Sequence, residues 1–191
     1  KNEGIAVVQL NRPEALNAIN EDVLADLAEV TRIIVNDDKV RVVVLTGNEH
    51  VFAAGADIKS FVTYNPSDAH QYIHKVQKGM NELLSLGKPT IASIAGYAVG
   101  GGCEMAMVCD LRIAADNAVF GLPEINLGIV PGGGATQRLT RLVGEGKAKE
   151  LVFLGTMINA QKALEYGMIN FLVPLADLKE ETMKLARKLC R

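Results

Sequence analysis

Three consecutive glycines, Gly100 to Gly102, stand directly before a helix-forming run, Cys103–Val108. They constrain the fold strongly, because glycine leaves backbone N–H groups bare and lets another atom approach them closely. The glycines are therefore predicted to lie at a helix N-terminus, where free N–H groups and the helix dipole stabilise negative charge. Glu104 lies in the first turn of that helix. A carboxyl group there suits a site that polarises a carbonyl while it moves a proton.

A second turn of small residues, Phe52–Lys59, follows the apolar strand Val42–Leu45. Two backbone donors from separate turns, aimed at one oxygen, form an oxyanion hole. A second acid, Glu124, follows the first along the chain, in a Gly-Leu-Pro-Glu sequence. The two turns and the two acids together predict chemistry at a carbonyl group.

Short β-branched runs alternate with helical patterns, which favours an α/β fold with crossover connections and a mainly parallel sheet. The predicted strands are Ile5–Leu10, Val40–Thr46, Thr90–Ala95, Leu111–Ala115 and Ile169–Val173. The predicted helices are Glu21–Val35 with Asn20 as its N-cap, a helix that Pro66 begins and that stops at Gly87, and Leu178–Leu189. No repeat, low-complexity tract or linker interrupts residues 1–191, so we expect a single domain.

Composition and charge narrow the class of protein. The 49% of hydrophobic and 22% of charged residues are typical of a globular chain. A net charge of −2, with no block of Lys or Arg, argues against a nucleic-acid partner, and no apolar run predicts a membrane span. Three cysteines at unrelated spacings (Cys103, Cys109 and Cys190) indicate reduced thiols and a cytoplasmic protein. The mitochondrial matrix is the alternative, because the sequence starts at Lys1 and a removed targeting segment is compatible with it.

Five stretches together resemble the enoyl-CoA hydratase (crotonase) superfamily, and most closely an enoyl-CoA hydratase. They occur in the family's order and are Asn11–Ala18, Ala53–Lys59, Gly96–Glu104, Pro123–Gly128 and Pro131–Leu139. The resemblance implies a spiral of strand-strand-helix units. It also implies an enzyme that adds water reversibly to the double bond of a 2-enoyl-CoA in fatty-acid or related acyl-CoA degradation.

The resemblance also implies roles for individual residues. It assigns the oxyanion-hole donors to the backbone of Ala56 and Gly101 and the catalytic acids to Glu104 and Glu124. Glu124 would protonate carbon 2, while Glu104 would hold and help to deprotonate the water. Substrate contacts are implied at a further set of positions, namely Ala54, Asp57, Ile58, Lys59 and Gly132.

Each of these residues has a simpler interpretation when it is considered singly. Glu104 suits the start of any helix, Glu124 suits an exposed loop, and the glycines suit ordinary turns. Their joint occurrence at the family's spacing outweighs these interpretations. For Lys59 and Arg12, contact with the pantetheine or phosphates of coenzyme A and ordinary solvation stay equal alternatives. Asp57 also suits a residue that shapes its turn.

Other chemical motifs are weak or absent from the sequence. His70 and His74 have i,i+4 spacing but lack the intervening acid of a zincin motif, so we expect surface histidines and no metal. No phosphate-binding loop or Rossmann fingerprint occurs. We therefore expect no cofactor, since coenzyme A is part of the substrate.

The resemblance leaves two rival functions and implies an assembly. An enoyl-CoA isomerase or another crotonase-fold enzyme would keep the oxyanion hole and vary the acids. An inactive acyl-CoA-binding or scaffolding protein would be expected to lose an acid or to block Gly101. Family members form homotrimers, often paired into hexamers, through further C-terminal helices that are expected to be missing here. The apolar positions of Leu178–Leu189 are expected to leave surface that such helices would cover.

Overall fold

The computed structural model describes residues 4–191, except for the side chain of Ser60. Within these residues the strands are β1 (Ile5–Gln9), β2 (Val42–Thr46), β3 (Val51–Ala53), β4 (Thr90–Ile94), β5 (Tyr97–Val99), β6 (Leu111–Ala115), β7 (Val119–Gly121), β8 (Ile158–Asn159) and β9 (Phe171–Val173). The α-helices are α1 (Glu21–Val35), α2 (Pro66–Leu84), α3 (Gly101–Val108), α4 (Ala135–Val143), α5 (Glu145–Leu154), α6 (Ala160–Glu165) and α7 (Leu178–Leu189). Short 3-10 helices are Pro13–Ala15, Ile58–Thr63, Pro123–Leu127 and Leu175–Asp177.

The larger sheet contains five parallel strands in the order β1-β2-β4-β6-β9. Strands β2 and β4 are buried along almost their whole length. Such strands have both faces covered, which explains their continuous Val and Ile runs. These are the five strands that the sequence predicts, with some ends shifted by one or two residues. The prediction of an α/β fold with a mainly parallel sheet is confirmed.

A smaller sheet, in the order β3-β5-β7-β8, was not predicted. Strands β3, β5 and β7 each follow a strand of the larger sheet after a short turn and pair in parallel, while β8 pairs antiparallel with β7. A helix then follows each of the three. The result is the strand-strand-helix spiral that the resemblance implies.

Local sequence signals explain the two longest helices. Helix α1 begins where predicted, because the Asn20 side chain accepts a hydrogen bond from Val23 N–H at 3.0 Å. Helix α2 begins with a capping box, in which Asn65 and Asp68 bond each other's backbone N–H groups. The apolar faces of both helices pack into the main core.

Helix α7 covers the face of the larger sheet that lies away from the main core. Leu178 and Ala186 are buried there, and Ser93 on β4 hydrogen bonds with Thr182 at 2.9 Å. Met183, Leu185 and Leu189 pack against the same cluster. Of the apolar positions on this helix, the sheet therefore buries Leu178, while Met183, Leu185 and Leu189 stay half-buried and keep some exposed surface.

Helix α3 lies directly against strand β3. A Cβ atom on Gly102 would overlap the carbonyl group of Ala53, so only glycine allows this approach. The contact brings the N-terminus of α3 beside the turn that follows β3. None of the helices within residues 4–191 has the length and apolar character needed to cross a membrane.

Candidate active site

The N-terminus of helix α3 carries one unused backbone donor. Gly100 caps the helix without a side chain, and its φ of 52° lies in the left-handed region that favours glycine. The N–H of Gly101, the first helical residue, makes no hydrogen bond to a protein acceptor within residues 4–191. The helix dipole adds positive potential at this point. The group is therefore suited to bind an oxygen that gains negative charge.

A second unused donor comes from the turn after β3. Ala56 forms an isolated parallel bridge with Ile19, in which Ile19 N–H donates to Gly55 and Asp57 N–H donates to Ile19. The Ala56 N–H makes no such bond in the described part of the chain. A Cβ atom on Gly101 would lie 3.5 Å from the Ala56 nitrogen. The turn that carries the Ala56 N–H therefore lies directly beside the N-terminus of α3, which carries the Gly101 N–H.

The buried side chain of Asn17 anchors this turn, a role that the sequence reasoning missed. Its amide nitrogen donates to the carbonyls of Val51 at 3.2 Å and Phe52 at 3.1 Å, and its oxygen accepts from Arg12 N–H at 2.8 Å. Asn17 has a φ of 54°. Asparagine tolerates that backbone better than most residues, and this is the signal that could have drawn attention to it.

Glu104 lies in the first turn of α3 and is 3% exposed. Each of its two carboxylate oxygens accepts one backbone hydrogen bond. Its Oε2 accepts from Gly133 N–H and its Oε1 from Ala135 N–H, both at 2.9 Å. Burial raises the pKa of Glu104, and these hydrogen bonds, with the charge of Arg138, oppose that rise. Each carboxylate oxygen keeps a further lone pair for another donor, such as water.

Glu124 lies in the 3-10 helix Pro123–Leu127 and reaches the cap of α3. A Cβ atom on Gly100 would lie 3.3 Å from its Oε1. Its Oε2 is buried and makes no hydrogen bond to the described residues. Burial, with a smaller contribution from the negative charge of Glu104, raises the pKa of Glu124 to about 7. A free oxygen on a carboxyl group of this pKa suits a proton donor at neutral pH.

The different surroundings of the two acids separate their roles. Glu104 accepts two backbone N–H groups, which favours its ionised form, whereas Glu124 lacks a partner on Oε2 and is more easily protonated. A pair of acids whose environments push their pKa values apart is an arrangement found in acid–base catalysis. Glu124 reaches the cap of α3 next to Gly101, and Glu104 lies in the first turn of the same helix.

The turn Pro131–Gly134 completes the surroundings of Glu104. A Cβ atom on Gly133 would lie 2.6 Å from Glu104 Oε2, so a side chain there would displace the carboxylate. The neighbouring Gly132 packs against Ile73 of α2. Sequence reasoning singled out Gly132 but missed the direct contacts of Gly133 and Ala135 with Glu104. The three successive glycines were the available signal.

The remaining predicted residues lie along the turn after β3. Ala54 is half-buried, and Ile58 and Lys59 are exposed. Asp57 forms a 2.9 Å ion pair with Arg12, which holds the pKa of this carboxyl below its usual value. Arg12 thus pairs with Asp57, and this favours a turn-shaping role for both side chains.

The histidines lie at the protein surface. His70 and His74 on α2 are exposed, with their Nε2 atoms 3.3 Å apart. Among the described residues, no group of three or more His, Cys, Asp and Glu side chains is placed to hold a metal ion.

The raised pKa of Glu124 predicts a pH-dependent stability. Between its ordinary value of 4.5 and about 7 the folded state holds the Glu124 proton more tightly than the unfolded state does, so the free energy of unfolding falls as pH rises through this window. Glu124→Gln removes this effect. Because water partly screens the side chain, we expect a gain of about 1 kcal/mol, or about 2–4 °C in Tm, at about pH 8.

Thermal unfolding of parent and variant at about pH 8 and at about pH 4.5 measures this effect. The gain should nearly vanish at the lower pH, where the parent carboxyl is protonated in the folded state and already half protonated in the unfolded state. A gain of equal size at both values would contradict the raised pKa.

Known proteins resemble this chain over almost its whole length. The sequence profile described as Enoyl-CoA hydratase/isomerase matches residues 1–191. The short-chain-enoyl-CoA hydratase of Clostridium acetobutylicum is 46% identical over 186 residues, which cover 97% of this chain and 71% of that protein. The mitochondrial enoyl-CoA hydratase of Pongo abelii is 43% identical over 189 residues, which cover 99% of this chain and 64% of that protein.

The fold of this chain also matches that of a solved structure. The crystal structure of an enoyl-CoA hydratase from Bacillus anthracis superposes with a TM-score of 0.94 at 40% identity. The match covers 97% of this chain and 72% of that one. Sequence and fold thus agree over nearly the whole chain, which belongs to the enoyl-CoA hydratase/isomerase family.

Proposed function

We propose that the chain is an enoyl-CoA hydratase, a hydro-lyase that adds water reversibly to the double bond of a 2-enoyl-CoA. Its relatives at 46% and 43% identity are named enoyl-CoA hydratases. The observation that carries the proposal is the contrast between two acids at the start of α3: Glu104 accepts two backbone N–H groups, whereas Glu124 has a buried oxygen without a partner among the described residues. Fatty-acid or related acyl-CoA degradation is the process in which such a reaction serves.

The oxyanion hole stabilises the charge that the reaction develops. Attack of water at carbon 3 pushes the electrons of the double bond towards the thioester carbonyl, whose oxygen becomes enolate-like. The N–H groups of Ala56 and Gly101 donate to that oxygen, and the dipole of helix α3 adds to their effect. Coenzyme A enters as part of the substrate, and this chemistry requires no separate cofactor.

The two acids then handle the protons. Glu104, whose ionised form the N–H groups of Gly133 and Ala135 favour, takes one proton from the water as its oxygen bonds to carbon 3. Glu124, whose pKa is about 7, gives its proton to carbon 2. The net result is the addition of OH at carbon 3 and H at carbon 2. Proton exchange with water resets both carboxyl groups.

The substrate contacts form a further part of this proposal. Ala54, Asp57, Ile58 and Lys59 belong to the segment that carries the donor Ala56, so the part of the thioester next to the carbonyl would run along them. The exposure of Ile58 and Lys59 leaves both side chains accessible to coenzyme A. Gly132 adds the opposite wall, through the turn that holds Glu104.

Hydration of crotonyl-CoA tests the function directly. Loss of the absorbance of the conjugated thioester should follow addition of the protein, with the double variant Glu104→Gln and Glu124→Gln as the blank. A short and a long 2-enoyl-CoA should be compared. Conversion of a 3-enoyl-CoA without hydration would support the isomerase instead, and saturable binding without any turnover would support the acyl-CoA-binding protein.

A homotrimer, or a hexamer made of two trimers, is the assembly that fits this function. Several large apolar side chains are exposed together on the 3-10 helix Pro123–Leu127 and at the end of α5, namely Ile125, Leu127, Phe153 and Leu154. Apolar clusters of this kind mark protein contacts, and closed symmetric assemblies are the common outcome. We expect light scattering to give a trimer or hexamer mass and Phe153→Lys to lower it. A monomeric parent would contradict this assembly.

The cytoplasm is the compartment we favour, with the mitochondrial matrix as the alternative. Relatives include a bacterial enzyme and one named mitochondrial. Fractionation of the source cells, followed by detection of the protein, distinguishes the two.

A further inference from the structure

Two side chains that take no part in the proposed reaction donate hydrogen bonds to backbone carbonyls of the turn Pro131–Gly134. Gln77 on α2 donates from Nε2 to the carbonyl of Gly132 at 2.9 Å. Arg138 on α4 donates from Nη1 to the carbonyl of Gly133 at 2.7 Å. Both bonds end on carbonyls of the glycine turn that holds Glu104.

The two tied carbonyls belong to the peptide groups on either side of Gly133. The carbonyl of Gly132 and the N–H of Gly133 form one planar unit, and that N–H donates to Glu104 Oε2 at 2.9 Å. The carbonyl of Gly133 belongs to the next planar unit, between Gly133 and Gly134. The two side chains therefore fix both peptide groups that flank the α-carbon of Gly133, and with them the direction of its N–H group.

The guanidinium of Arg138 packs directly over Gly134 of the turn. Gly134 has a φ of 115°, which favours glycine, and a Cβ atom there would overlap Nη1 of Arg138. Arg138 also reaches Asn81 Oδ1 on α2 at 3.5 Å. The guanidinium thus fills the space that a side chain at position 134 would occupy, and it links α4 to the turn and to α2.

We propose that Arg138 and Gln77 are positioning residues that hold the two peptide groups flanking Gly133 and so keep its N–H on Glu104. This inference rests on the proposed function, in which Glu104 is the base. Chains of hydrogen bonds polarise one another, so the Gln77 bond to the Gly132 carbonyl strengthens the Gly133 N–H at the other end of that peptide. The charge of Arg138 acts on the Glu104 carboxylate directly and favours its ionised form. Without the two ties, the turn has more freedom to rotate its N–H groups away from the carboxylate.

The expected effect has a definite sign. Arg138 favours the ionised form of Glu104, so its loss should raise the pKa of that base and move the acid limb of the rate profile to higher pH. The other titratable groups that interact with Glu104 are Glu124 on the 3-10 helix and Cys103 on its own helix. Neither is altered by the variants below, so they contribute equally to every profile.

The test compares Arg138→Gln with Arg141→Gln, which removes the same charge from an exposed position on the same helix. We expect Arg138→Gln to move the acid limb of kcat upward by about one pH unit, which corresponds to about tenfold lower kcat on that limb. KM should change less than kcat. Arg138→Lys should restore part of the loss, because it keeps a charged donor. Gln77→Leu should give a smaller shift in the same direction.

The pKa of Glu104 can also be measured by NMR without any turnover, so the positioning role can be tested independently of the proposed hydratase activity. The Glu104 carboxyl resonance, assigned in carbon-13-labelled protein with Glu104→Gln, should titrate at higher pH in Arg138→Gln than in the parent. A parent without hydratase activity would sink the proposed function and leave this titration to decide the positioning role. A lower Tm with an unmoved resonance and acid limb would reduce Arg138 to a merely structural residue. If Arg138→Gln does not fold, Arg138→Lys and Gln77→Leu decide by the same readouts.

Discussion

Replacing Glu124 with glutamine is expected to lower the turnover of crotonyl-CoA about 10²–10⁴-fold, and Glu104→Gln is expected to do the same. Glutamine keeps the volume and a hydrogen-bonding group but neither donates nor accepts the required proton. In the proposed mechanism Glu124 is the donor to carbon 2, a role that suits its buried Oε2, which has no partner among the described residues. Steady-state kinetics of hydration, measured over a range of pH, provides the test.

Measuring acyl-CoA binding shows whether a variant loses turnover because the chemistry fails or because the site is disturbed. Because both substitutions conserve side-chain volume, we expect the dissociation constant of a saturated acyl-CoA to change far less than turnover. Glu14→Gln, at an exposed acid of the 3-10 helix Pro13–Ala15, is the matched control. If either variant kept near-parent turnover, the glutamate concerned would lose its role.

Gly101→Pro is expected to suppress every thioester reaction of the protein, about 10²–10³-fold, because it removes one of the two oxyanion-hole donors. The position suits the substitution. Gly101 is the first residue of α3, where proline is well tolerated. A Cβ atom there would meet its nearest neighbours at 3.5 Å, which is ordinary contact. Loss of activity with an intact fold should therefore be measurable.

Gly101→Ala provides the comparison, because it adds a Cβ atom but keeps the N–H group. It should retain clearly more activity than Gly101→Pro, both in hydration and in exchange of the carbon 2 proton with solvent. Circular dichroism and Tm establish that each variant is folded. A folded Gly101→Pro protein with full activity would exclude this N–H group from the oxyanion hole.

The long elements were predictable because their signals are local. Helices Glu21–Val35 and Leu178–Leu189 have the bounds that the sequence predicts, since the period of the apolar residues and, for the first, the Asn20 cap lie within the segment itself. The strands of the larger sheet were found in the same way. Strands β3 and β5 were missed, because three residues are too short to establish a period.

In the candidate site, too, the features with a local sequence signal were predictable and those that depend on distant segments were not. Glu104, Glu124 and the two glycine turns could be selected from the sequence, because their residue types, order and spacing carry the family resemblance. The difference between the pKa values of Glu104 and Glu124 could not be predicted from these motifs. The raised pKa of Glu124 and the opposed rise at Glu104 depend on burial and on N–H groups from elements far away in the chain.

By itself, the sequence determined the α/β class and the main helices and singled out Glu104 and Glu124 as candidate acids, because these depend on residue type, periodicity and motif order. Only the tertiary structure decided what surrounds those acids. Gly133 and Ala135 reach Glu104 because α4 packs beside α3, and Gln77 and Arg138 reach the glycine turn from two different helices. The physical reason is that a hydrogen bond between distant segments requires a distance and an angle, which the packing of whole elements sets and no local pattern encodes.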